Sequence, residues 1–73
     1  MSEYQIFLKE RDQIDFLFQK GFRINSITEN LSGAFVDFQK EDVTETLHIV
    51  TPEGRKYFSV LLIKQQKEEA FSN

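Results

Sequence analysis

The side chains able to do chemistry in this chain are few and scattered. His48 is the only histidine, and cysteine is absent. Nucleophilic triads and most metal sites need imidazole or thiolate beside a nucleophile or further ligands. A single histidine between Leu47 and Ile49, on the polar side of an alternating segment, reads as a surface residue. The closest carboxylate sets are Asp12 with Asp15 and Glu41 with Asp42. General acid–base work needs carboxylates in unlike environments that separate their pKa values. The first set is expected on the exposed side of a helix and the second in a turn, so both read as solvated charge. Gly21, Gly33 and Gly54 stand alone, without the spacing of a phosphate-binding loop. No catalytic, cofactor-binding or metal-ligating residue is assigned, and the expectation is a non-enzymatic protein.

The basic cluster is Arg55, Lys56, Lys64 and Lys67. On a helix, at about 100° per residue, Lys56, Lys64 and Lys67 project at similar angles. A phosphate at the start of that helix would meet both its dipole and these side chains. Nucleic-acid binding is therefore one candidate function, set against ordinary solvated residues covering a core helix. The overall charge of −3 is unevenly spread: residues 23–50 carry −3 and residues 51–73 carry +1. The acidic group Glu29, Asp37, Glu41, Asp42 and Glu45 supports a further candidate, mimicry of nucleic acid toward a basic partner.

Positioning any of these residues falls to one small domain. Seventy-three residues bury only about 60% of their unfolded surface, so the core must be dense. Eight phenylalanines, at roughly 150–250 Å² each, can supply it. The N-terminus lacks a basic stretch followed by an apolar one, and no apolar run approaches a membrane span. A cytoplasmic location without membrane association is expected. Asn30-Leu31-Ser32 matches a glycosylation sequon but reads as a turn in this context.

Ser2 and Gln5 form a capping-box pattern. Tyr4, Ile6, Phe7, Ile14, Leu17 and Phe18 then share one side of a helical wheel, predicting a helix over residues 3–20. Gly21 suits a left-handed helix end, with Phe22 folding back on Leu17. Residues 22–29 read as an irregular strand, with Ile27 out of phase with Phe22 and Ile24. Asn30 to Gly33 is a turn, and Ala34, Val36 and Phe38 alternate with Phe35, Asp37 and Gln39 as a second strand. Residues 44–50 make a third, with Leu47 and Ile49 on one face.

Thr51-Pro52-Glu53-Gly54 decides the remainder. Thr51 as an N-cap with Pro52 as the first helical residue opens a second helix. Pro52-Glu53 as the centre of a turn instead makes residues 55–63 a fourth strand. The first reading is preferred: an α+β domain of three antiparallel strands with N- and C-terminal helices (α-β-β-β-α), spanning residues 1–73 and fraying over 65–73. The alternative is one helix with a four-stranded meander. The preferred order is similar to that of double-stranded RNA-binding domains. This is a likeness of fold order alone, and the lysine-rich second-helix start of those domains is reduced here to Arg55-Lys56.

Both helices are expected on one sheet face, leaving the other face, with Phe35, uncovered. Phe16, Phe35 and Tyr57 remain after the core faces are assigned, and exposed aromatics concentrate at interfaces. The function expected is a protein–protein interaction or regulatory module, binding a larger partner or pairing as a homodimer. Phe16, Phe35 and Tyr57 are its candidate contacts. Nucleic-acid binding and acidic mimicry are the alternatives.

Overall fold

The computed structural model of the chain describes residues 2–71, with side chains through residue 69. In chain order the elements are α1 (Glu3–Gln19), β1 (Arg23–Asn30), β2 (Gly33–Lys40), β3 (Val43–Ile49) and α2 (Pro52–Phe71). The strands form an antiparallel meander, order β1-β2-β3. This is the α-β-β-β-α order expected, and the four-stranded alternative does not form.

Local signals set the element ends. The Ser2 hydroxyl accepts the Gln5 N–H at 3.2 Å, and the Gln5 side chain accepts the Ser2 N–H at 3.3 Å. Each satisfies a donor the first helical turn leaves free. At the other end of α1, Gly21 takes φ +97°, a conformation costly for a side chain. The Gly21 N–H then reaches Phe18 O at 3.0 Å and the Phe22 N–H reaches Leu17 O at 2.9 Å. That double closure turns Phe22 back into the core. Thr51 opens α2: its hydroxyl accepts the Gly54 N–H at 2.9 Å and its carbonyl accepts the Arg55 N–H at 3.1 Å.

The irregularity read in the first strand is a bulge between Ile24 and Ser26. An extra residue there resets the period, so Ile24 and Ile27 both face inwards, opposite Phe38 and Val36. The core lies between that sheet face and the two helices. It comprises Ile24, Ala34, Val36, Phe38 and Ile49 from the sheet, Ile14 and Leu17 from α1, Phe22, and Phe58 from α2. Phe18 meets Phe38 edge-to-face, centroids 5.8 Å apart, an arrangement that adds to simple burial.

The two ends of the expected fraying segment 65–73 differ. Residues 65–71 continue α2, and Gln65 is buried; residues 72 and 73 lie outside the described residues.

Candidate functional site

Glu10 is the most buried charged residue, at 4% exposure. It occupies the apolar stripe of α1, between Phe7 and Ile14, and points at the start of α2. Its Oε2 accepts the Val50 N–H at 2.6 Å and the Thr51 N–H at 3.3 Å, while Oε1 accepts the Thr51 hydroxyl. Thr51 in turn caps α2, so one carboxylate fastens the first helix to the β3–α2 junction. Gly54 closes the arrangement. A Cβ there would stand 2.3 Å from Glu10 Oε1 and 2.7 Å from Ile49 Cγ2. Every polar atom of this cluster is engaged within the protein, so it locks the fold and offers a ligand nothing.

Tyr57 and Asp15 correct two expectations. Tyr57 is half-buried rather than left over: its hydroxyl donates to Asp15, and its ring meets Phe7 edge-on at 6.3 Å. The hydrogen bond to Asp15, with burial second, pushes the Tyr57 phenol up to about 12. Asp15 is consequently an inter-helix contact and not a freely solvated partner to Asp12. Asp12 is exposed and pairs with Arg11 at 3.3 Å.

The sheet face away from the helices is polar except for Phe35. Asp37 sits at its centre, accepting the Thr46 hydroxyl from β3 and the Ser26 hydroxyl from β1, both at 2.8 Å. Those hydroxyls, Thr46 first, hold its carboxyl below the usual range. Phe35 is half-buried under His48. Their rings stack in parallel with centroids 4.3 Å apart, and His48 Nε2 lies 2.7 Å from Ser32 O. The histidine is a surface residue, as expected, and it covers the aromatic beside it.

The two sheet edges differ sharply. Gln65 of α2 accepts the Ile24 N–H at 2.9 Å and donates to the Ile24 carbonyl at 3.0 Å, occupying the outer edge of β1 as a strand would. Arg55 reaches Glu29 of the same strand at 3.7 Å. The β3 edge has a neighbouring strand on one side only. Beside it, α1 and β3 frame an apolar groove of about 260 Å³ lined by Asp12, Gln13, Phe16, Leu17, Glu45 and Leu47. Phe16 is 56% exposed there, and the Lys20 ammonium lies 5.2 Å from its ring centre. Of the three aromatics expected at a partner surface, Phe16 lies at this groove, Phe35 on the far sheet face, and Tyr57 between the helices. They are three separate places.

The basic residues of α2 are likewise spread. Arg55 is engaged with Glu29. Lys56 borders Phe7, Tyr57 and Val60, while Lys64 lies near Phe18, Arg23 and Glu68. Lys67 is exposed one further turn along. The acidic set is divided too: Asp37 is on the outer sheet face, Glu45 opposes the inward Phe38, and Glu41 and Asp42 form the β2–β3 turn. Among the described residues, no group of three acidic or histidine side chains could hold a metal ion, and no helix is long and apolar enough to cross a membrane.

No protein-family model, curated protein or solved structure matches this chain. The residues that organise the molecule, Glu10 and Gln65, are absent from every sequence-derived candidate set. A signal did exist: each is a polar residue within an apolar helical stripe, Phe7-Glu10-Ile14 in α1 and Phe58-Leu61-Gln65 in α2.

Proposed function

We propose that this chain is a non-enzymatic protein–protein interaction module whose contact surface is the α1–β3 side. The asymmetry of the sheet edges carries this reading. An open edge offers unpaired N–H and C=O groups, and proteins commonly cover or charge such edges. Here α2 covers β1 with Gln65, whereas β3 stands open beside a groove whose rim is the exposed Phe16. Strand addition at an open edge, with a side chain seated in a neighbouring apolar groove, is a common mode of recognition.

Affinity capture from a lysate of the source cell, with and without nuclease, tests the reading. The baits are the wild-type chain and Phe16→Ser. The expected result is a protein that survives nuclease and is lost with Phe16→Ser. Capture unchanged by Phe16→Ser overturns it. Capture that nuclease abolishes, and that Lys56→Glu weakens, transfers the function to Arg55, Lys56, Lys64 and Lys67 as a nucleic-acid contact.

A further inference from the structure

We infer that the occupant of the open edge is β3 of a second copy of this chain, paired antiparallel about Thr46; this rests on reading the α1–β3 side as the contact surface. The parity of the sheet is the starting point. Gln65 holds both backbone groups of Ile24 from outside the sheet, so these groups point away from β2. Ile24 lies opposite Phe38, whose backbone groups therefore turn toward β3, where Phe38 lies opposite Glu45. Antiparallel partners alternate between exchanging both hydrogen bonds and exchanging none. Val43, Glu45, Leu47 and Ile49 therefore bond to β2, and Thr44, Thr46 and His48 direct their N–H and C=O groups outwards.

The strand is complementary to itself. Val43–Ile49 has seven residues, so its midpoint is Thr46, one of the outward-facing positions. Pairing two copies about Thr46 uses the whole strand and sets Thr46 against Thr46, Thr44 against His48, Glu45 against Leu47 and Val43 against Ile49. No two charged residues stand directly opposite each other in this register. A register centred on Glu45 opposes two carboxylates. A register centred on Leu47 brings Val43 and Thr44 onto Thr51 and Val50, whose N–H groups Glu10 already holds. Glu45 and the N–H groups held by Glu10 thus disfavour the two registers flanking the Thr46-centred one. In the Thr46-centred pair the second copy's Glu45 arrives opposite Leu47, at the edge of the groove that Phe16 and Leu17 also line.

Light scattering on the full chain up to millimolar concentration is the first test. A mass of two chains is expected, falling to one chain for Thr46→Lys, which opposes two ammonium groups across the two-fold axis while Asp37 remains beside each. Because native cysteine is absent, Thr46→Cys provides a second test independent of that variant's folding. Directly opposed strand residues lie about 5.5 Å apart at Cα, within disulfide reach. Mild oxidation should join Thr46→Cys chains at least tenfold faster than Thr28→Cys chains, which carry their thiol on β1. A strictly monomeric wild type, or Thr46→Cys oxidising no faster than Thr28→Cys, overturns the inference. A monomer that still captures a protein through Phe16 would overturn the self-pairing and leave the interaction module standing.

Discussion

Glu10 shows how one residue can fix the relation between distant segments. It joins α1 to a junction forty or more positions away in the chain, and its removal strands three donors at once. A buried donor left without an acceptor costs about 1–3 kcal/mol. Glu10→Ala should therefore destabilise the protein by about 3 kcal/mol, read as a fall in the urea midpoint with unchanged slope. Gly54→Ala separates two opposed effects. Alanine is favoured over glycine inside a helix by about 1 kcal/mol, yet its Cβ would collide with Glu10 and Ile49. We expect the collision to win, with net destabilisation of about 1 kcal/mol by the same measurement, since overpacking a filled site costs about 1–3 kcal/mol.

Tyr57 yields a pH prediction of definite sign. Its phenol is raised to about 12 in the folded chain, against about 10 for a free tyrosine. A group raised on folding contributes fully below its unfolded pKa and loses that contribution as pH rises to its folded pKa. Wild type should therefore exceed Tyr57→Phe in thermal stability below about pH 10, and the gap should close between about pH 10 and 12. A gap constant across that range would exclude the Asp15 hydrogen bond as its source.

At the scale of elements, the two sheet edges are treated in opposite ways. Gln65 replaces a fourth strand with one side-chain amide, matching both backbone groups of Ile24. Gln65→Ala should speed exchange of the Ile24 amide at least tenfold while the β2–β3 amides keep their protection, as measured by hydrogen-exchange NMR. Exchange rising equally in all strands would mean that Gln65 supports the whole core rather than the β1 edge. Most elements were legible in the sequence because their signals are local. The Ser2–Gln5 capping box, the Gly21 helix end and the alternation of Ala34, Val36 and Phe38 each act within a few residues. The out-of-phase Ile27 announced the bulge. Thr51-Pro52-Glu53-Gly54 carries turn as well as helix signals, with the helix preferred, and the contact that holds Thr51, Glu10, lies on another element.

For the whole molecule, a domain this small has a slender margin of stability, so association bears directly on it. Pairing that occurs only in the folded state stabilises by mass action. The thermal midpoint should accordingly rise with protein concentration, and Thr46→Lys should remove that dependence. A midpoint independent of concentration in the wild type would count against the β3 pair. The candidate contact surface was only partly legible. Phe16 stood out as an aromatic off the apolar stripe of α1, but nothing in its neighbourhood placed it beside β3. Tyr57 looked equally available until α1 supplied Asp15 and Phe7.

By itself the sequence determined the order of elements, the inward face of β2, that of α1 in part (Ile14 and Leu17 are buried, but Tyr4 is exposed and Glu10 takes a buried place), and the scarcity of groups suited to catalysis. Periodicity, capping and turn chemistry are short-range, so they can be read along the chain. Only the tertiary structure decided which edge is closed and which is open, which aromatics are occupied, and which charges are paired. Those outcomes depend on residues roughly forty positions apart, Glu10 with Thr51 and Ile24 with Gln65. Two helices on one sheet face could be expected from the pattern, but which of their side chains meet depends on the helices' placement over the sheet, which local pattern does not encode.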